Sequence, residues 1–325
     1  DQHTPCRTSK RISMTSKDVA DRLDEVEKAL LNRWPETRIA PTLDRIAALV
    51  DALGSPQLSY PTIHIAGTNG KTTTTRLIDS LCFQLGMRTG RFTSPHLESF
   101  LERICINGES ISPEGMIATY DDIGLYLDMI DSRMPNKLSF FESMCALAFV
   151  AFSEFPVDVG IFECGMGGEW DSTNVIKADV SVITPIGFDH MEYLGNTLGE
   201  IAQTKAGIIK AGGFIVMAEQ KPEAAKELLR RTAEVEAEEI LVPTIELAAH
   251  PQIRLNEIRQ RRFYIVDRAQ VRAKDSLQRQ EDTEVFKVIN AGVPTDQSIS
   301  VSGTLQPENI NLALTLIEEH ELIGA

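Results

Sequence analysis

The chain has 325 residues, 42% of them hydrophobic, and a formal net charge of −15. That length supports a large core, while the acidic balance argues against nucleic acid or an anionic membrane as partner and demands a local basic pocket for any anionic substrate. No apolar run reaches the roughly 18 residues of a membrane span, and the five cysteines (Cys6, Cys82, Cys105, Cys145, Cys164) lack metal-ligand spacing and read as reduced thiols of a cytoplasmic protein.

Residues 1–13 are polar and basic without apolar period and are expected to be a disordered leader, with Met14 as the natural start. Ser16 is placed to cap a helix striped by Val19, Leu23, Val26 and Leu30, which Trp34-Pro35 ends. Thr42 caps the next, with Ile46, Leu49, Val50 and Leu53 inward and Gly54 as its stop. An apolar run, 63–66, then meets Gly67-Thr68-Asn69-Gly70-Lys71-Thr72-Thr73, after which Leu77, Ile78, Leu81, Cys82 and Leu85 recur at helical spacing. Strand, glycine turn and helix describe a phosphate-binding loop. Its glycines let backbone N–H groups turn toward phosphate, Lys71 adds a point charge, and the Thr72 hydroxyl can reach a magnesium ion. Only Thr68 and Asn69 separate the two glycines, where the general nucleotide loop has four residues.

Residues 89–97 read as a short strand running into a loop, and 102–109 as a strand with a tight Asn107-Gly108 turn. Pro113 starts a helix to about Ile130, and 138–152, apolar on nearly every face, predicts a buried one. Three more apolar runs follow: 157–162 ending at Glu163, 180–184 ending near Asp189-His190, and 214–217 before a helix opened by Pro222. Apolar strands alternating with helices imply an α/β fold with a doubly wound, mostly parallel sheet. Ligands sit at the carboxyl ends of such strands, where the phosphate loop, Glu163 and His190 all fall. The pattern weakens after Thr244. A small β hairpin region is expected near residues 244–303, where Arg259, Arg261, Arg262 and Arg268 around Tyr264 suggest a solvated basic face. Gln306-Pro307-Glu308-Asn309 opens a last helix.

The shortened Gly67-to-Thr72 loop resembles that of the Mur ligase superfamily, ATP-dependent enzymes that join an amino acid to a carboxylate. Thr93-Ser94-Pro95-His96-Leu97, Glu102-Arg103-Ile104, Phe140-Phe141-Glu142, Glu163-Cys164-Gly165-Met166-Gly167-Gly168, Trp170-Asp171-Ser172-Thr173-Asn174, Asp189-His190 and Lys205-Ala206-Gly207-Ile208 then follow in one order. Together they resemble the folylpolyglutamate synthase/dihydrofolate synthase family, closely over about 39–218 and again at 306–313. The resemblance implies a Mur ligase central-domain-like fold and a ligase that adds L-glutamate to folates, and to dihydropteroate, through an acyl phosphate. It assigns catalysis to Lys71, Glu163, His190 and Lys205, and ATP to Gly67, Thr68, Asn69, Gly70, Lys71, Thr72, Thr73 and Asn309. One or two Mg2+ sites would draw on Thr72, Ser94, Glu163, His190 and a carbamylated Lys205. The acceptor would meet Thr42, Asp44, Phe140, Phe141, Glu142, Trp170, Asp171 and Ser172. The expected protein is a cytoplasmic monomer.

On the residues alone some of these positions have plainer readings. Phe140 and Phe141 serve equally as core, Lys205 as a helix-surface lysine, His96 as a loop-structural residue, and His64 as a packed core histidine. The sequence departs from the family at Glu169, where arginine is usual, and at Thr204, where glutamate is usual. Residues 14–325 are expected to form one ATPase domain, without the C-terminal domain that completes the family's glutamate site. Two alternatives stand beside this reading: a Mur-type ligase of a nucleotide-linked peptide precursor, and an inactive nucleotide- or folate-binding module.

Overall fold

The computed structural model describes residues 15–241, apart from 37, 39 and 219, together with the strand segments 264–267, 283–290 and 293–302. Helix α1, Ser16–Leu31, begins at an N-cap one residue earlier than the sequence suggests: Thr15, not Ser16, forms a capping box with Asp18. In α2, Asp44–Ala52, the Thr42 hydroxyl accepts the Asp44 N–H at 3.1 Å, so Thr42 serves the helix start from one residue before its formal cap, Leu43. Strand β1, Thr62–Ala66, leads through the glycine loop into α3, Lys71–Gln84. After β2, Thr89–Phe92, come the short strands β3, Ile104–Ile106, and β4, Glu109–Ser110. Asn107 and Gly108 both take positive φ (53° and 83°) between them, as the turn signal requires.

Helix α4 covers Pro113–Arg133 and α5 covers Phe140–Glu154, followed by β5, Val159–Glu163, and β6, Val180–Ile183. Then come α6, Met191–Leu194, α7, Leu198–Ala206, β7, Phe214–Met217, α8, Pro222–Glu234, and β8, Glu238–Leu241. The first eight strands form one sheet in the order β4-β3-β2-β5-β1-β6-β7-β8. All neighbours from β2 to β8 in that order pair in parallel, and β3 alone is reversed, pairing antiparallel with both β2 and β4. Every residue of β1, β5 and β6 is buried, as expected of central strands covered on both faces.

Two apolar layers do the covering. One packs α1, α2, α4 and α5 on the sheet, with Phe149, Phe152 and Phe162 fully buried between them. The other sets Ile201, Ala202, Ile208 and Leu228 against Ile183 and Ile215. The doubly wound expectation therefore holds, and β1, β5 and β6 end side by side. Three further strands, β9, Tyr264–Asp267, β10, Thr283–Asn290, and β11, Val293–Ser302, form an antiparallel sheet in the order β11-β10-β9. It falls where the hairpin region was expected and has one strand more than a hairpin. The expected leader, the last helix with Asn309, and the four arginines around β9 lie outside the described residues. No described helix is long and apolar enough to cross a membrane.

Candidate active site

At the end of β1 the chain turns at Gly67, with φ of +148°, and re-enters a helix at Gly70, with φ of +83°. A side chain at Gly67 would lie 1.8 Å from the Thr184 hydroxyl, so both backbone conformation and space demand glycine there. The loop is braced from the β6 side. Thr68 and Asn69 donate their N–H groups to Pro185 O, at 3.1 and 3.3 Å, and Thr68 Oγ1 exchanges hydrogen bonds with Gly187. The first N–H of α3 with a partner four residues back is that of Thr74, on Gly70 O. The N–H groups of Lys71, Thr72 and Thr73 therefore open the helix as an anion-binding end. The sequence suggested that the whole loop offers its N–H groups. In the structure the Thr68 and Asn69 N–H groups go to Pro185 O, while those of the helix start have no partner four residues back.

Lys71 folds back over this loop, its Nζ 3.2 Å from Gly67 O and 3.4 Å from Thr68 O. Thr72 Oγ1 donates to Glu163 Oε1 at 2.6 Å, and the Ser94 N–H reaches Glu163 Oε2 at 3.4 Å. Glu163 is 1% exposed at the end of β5, and burial pushes its carboxyl up to about 7, against the Thr72 hydrogen bond and the Lys71 charge. Lys205, on α7, reaches under the same loop to Gly67 O at 2.8 Å. Burial, then the neighbouring Lys71 charge, brings its amine down to about 8. It is a buried lysine and not the helix-surface one that the residues alone allow. His190 holds a left-handed backbone (φ of 45°) at the start of α6. It is exposed, with Nε2 3.5 Å from Asp189 Oδ2, and among the described residues no hydrogen bond joins it to Glu163 or Lys205.

Beside this centre lies a cavity of about 310 Å³ whose wall includes both Ser94 and His190. Of the residues that the resemblance places at the acceptor, Thr42, Phe141, Glu142, Trp170, Asp171 and Ser172 line it too. Phe140 and Asp44 do not. Phe140 is buried beneath the Arg103 guanidinium, 5.0 Å from its ring centre, and Asp44 opens α2. Glu142 pairs with Arg45 at 2.9 Å, both nearly fully buried, and also accepts the Ser139 N–H in the box that starts α5.

Sequence reasoning missed Glu36, Arg38 and Arg45 in this wall, and Arg103 behind it. Arg38 lies 3.8 Å over the Trp34 ring, while Arg103 grips the Glu36 carboxylate and donates from Nε to His96 Nδ1 at 2.8 Å. His96 thus has a structural partner. The Ser139-x-x-Glu142 spacing was the one available signal, and it marks a helix start without naming Arg45.

Asp171 accepts N–H groups from Met166 (2.9 Å) and Thr173 (3.0 Å) and a close hydroxyl contact from Thr173. Its carboxyl is raised by burial, against these donors. His64 is a core histidine, as the residues suggested, but a hydrogen-bonded one: Nε2 lies 2.7 Å from Thr173 Oγ1 and 3.0 Å from Cys164 Sγ. The fold so gathers His64, Cys164 and Asp171 within 4.8 Å, a constellation that linear spacing could not show. Hydrogen-bond separations with Thr173 between them describe a polar network better than an ion cage. The two family departures are also neighbours, since the Glu169 N–H donates to Thr204 O at 2.8 Å.

The Mur ligase middle domain family matches this chain over residues 65–317. The dihydrofolate synthase/folylpolyglutamate synthase of Mycobacterium tuberculosis (strain ATCC 25618 / H37Rv) is 48% identical over 236 residues, 69% of this chain and 48% of that protein. The enzyme of the same name from Bacillus subtilis (strain 168) is 44% identical over 197 residues, 60% of this chain and 46% of that protein. This chain thus spans about half the length of the curated relatives it matches. Among solved structures, Mycobacterium tuberculosis folylpolyglutamate synthase complexed with ADP and AMPPCP superposes with a TM-score of 0.71 and 38% identity, covering 93% of this chain and 62% of that one. An FPGS–AMPPCP–folate complex gives 0.74 at 28% identity, covering 92% and 67%. With its phosphate loop and parallel sheet, the chain belongs to the Mur ligase middle domain family, and the curated relatives it resembles carry the name dihydrofolate synthase/folylpolyglutamate synthase.

Proposed function

We propose that this chain binds MgATP at the start of α3 and a folate or dihydropteroate acceptor in the adjoining cavity, as part of an ATP-dependent ligase that adds L-glutamate to the acceptor. One observation carries the reading. Ser94 belongs to both places, touching Glu163 with its N–H and lining the cavity. The acceptor carboxylate and the nucleotide phosphate can therefore meet at one wall. The relatives and the complexes with ATP analogues and folate support it.

Phosphoryl transfer from ATP to the acceptor carboxylate brings anionic groups together, so the protein's work is positioning and charge neutralisation. The α3 N-terminus and Lys71 answer the phosphates. The Thr72 hydroxyl, Ser94 and the Glu163 carboxylate fit a magnesium ion: hard oxygen donors around a buried carboxyl whose ionised form lacks a full counter-charge. Magnesium, when bound, would supply neutralisation of the phosphate oxygens. His190, on the cavity wall, is placed to extend that set. Lys205, with its amine near 8, keeps a neutral fraction that can take up carbon dioxide as a carbamate, which would convert a cation into an anionic oxygen donor.

The test is calorimetry of MgATP with wild type and Lys71→Ala. The expected result is at least a tenfold weaker affinity for the variant, since the phosphate charge is deleted. Equal affinities would sink the phosphate-site assignment.

A further inference from the structure

The His64–Thr173–Asp171 network has a direction that its hydrogen bonds fix. Thr173 Oγ1 carries one proton and has three polar neighbours: His64 Nε2 at 2.7 Å, Asp171 Oδ1 in close contact, and Cys164 Sγ at 3.7 Å, a weak and distant acceptor beside the carboxylate. Asp171 already accepts two backbone N–H groups, one on each oxygen, which is the pattern of a carboxylate. The hydroxyl proton then points at Asp171, and Thr173 can only accept from His64. This makes His64 the Nε2–H tautomer, its N–H shared with Cys164 Sγ at 3.0 Å, and leaves Nδ1 as a bare acceptor.

Nδ1 has no partner among the described residues. A buried acceptor without a partner is less costly than a buried N–H without one. The reverse direction would protonate Asp171, turn the hydroxyl toward Nε2, and place exactly that orphan N–H on Nδ1.

From this arrangement we infer that His64 and Thr173 are positioning residues that hold Asp171 ionised and aimed at the cavity, ready to accept N–H donors from the heterocyclic end of the acceptor substrate. Asp171 lines the cavity while remaining 4% exposed, so its orientation is set by its neighbours and not by water. His64 sits on β1, three residues before Gly67, and is fully buried. The acceptor wall is thereby pinned to the strand that delivers the phosphate loop. The inference rests on the acceptor-cavity reading above and adds two residues that make no contact with substrate themselves.

The experiment measures folate and MgATP affinities by calorimetry for wild type, Thr173→Val, Thr173→Ser and Asp171→Asn. Thr173→Val keeps the volume and removes the hydroxyl, and should weaken folate about tenfold with MgATP affinity unchanged. Thr173→Ser should restore folate binding. In wild type, nitrogen NMR of the His64 ring should show a protonated Nε2 and a bare Nδ1, and the Nε2–H resonance should shift when folate is added. That last readout needs no variant to fold. The opposite tautomer, an Nε2–H indifferent to folate, or wild-type folate affinity in Thr173→Val beside a weakened Asp171→Asn would each overturn the relay. Wild-type affinity in Asp171→Asn would overturn the acceptor-cavity reading itself.

Discussion

Arg103 offers five N–H donors in a rigid fork and directs three nitrogens at two segments far apart in sequence: Nε at His96, and both terminal nitrogens at Glu36. His96 belongs to the loop that carries Ser94, and Glu36 belongs to the cavity wall. A single buried guanidinium therefore ties the loop of Ser94 and His96 to the Glu36 part of the cavity wall. Lysine keeps the charge but cannot supply the fork, so Arg103→Lys should not rescue what Arg103→Met loses. Both should cost about 1–3 kcal/mol in urea denaturation and weaken folate binding, because Phe140 and His96 lose the group packed on them. Glu36→Gln should cost under about 1 kcal/mol, since the amide keeps an oxygen acceptor for the Arg103 fork and the Glu36 side of the pair is 36% exposed. A larger loss at Glu36 than at Arg103 would contradict this division of roles.

At the scale of elements, α5 joins local and distant instructions. Ser139 and Glu142 close a capping box at its start, and Glu142 then reaches Arg45 on α2, 97 residues away in sequence. Ser139→Ala should cost about 1 kcal/mol, the usual worth of an N-cap. Glu142→Ala should cost about 3–5 kcal/mol, because it strands a buried guanidinium. If denaturation returns the two in the reverse order, the Arg45 pair is not what holds α5 to α2.

This helix also shows what was legible in the sequence. Its burial followed from apolar residues on every face. Its capping box could be read from spacing alone. Arg45 could not, because a charged residue in an amphipathic helix usually faces water, and only the fold reveals a partner. The same limit applied to Thr173 and Arg103, which stand within recognisable motifs but bond to His64 and Glu36, 109 and 67 residues away in sequence. The strand ends were legible because a parallel sheet places them together whatever their side chains do. Where exposed caps compete, as at Thr15 and Ser16, one residue of slippage is all that separates pattern from structure.

At the scale of the whole molecule, His64 and Glu163 give the stability an unusual dependence on pH. His64 is neutral in the fold, its folded value held near 3 by burial, while an unfolded histidine titrates near 6.5. Its contribution is fully present above about 6.5 and is lost as pH falls toward 3, at about 1.4 kcal/mol per pH unit. Glu163 has the opposite sign. Its folded value, about 7, lies above the unfolded 4.5, so its contribution is present below 4.5 and is lost as pH rises through 7. Between about 4.5 and 6.5 the unfolded chain takes a proton at His64 and the folded chain takes one at Glu163, and the two slopes cancel. Below 4.5 only the His64 slope remains. Glu163→Gln removes one of the two terms, so metal-free urea denaturation of the variant and wild type from pH 4 to 8 isolates it. The variant should gain on wild type by about 3 kcal/mol across the window from 4.5 to 7 and by little outside it. A difference that stays constant with pH would show that the folded Glu163 carboxyl titrates in its ordinary range, and would remove the electrostatic argument for a cation beside Thr72.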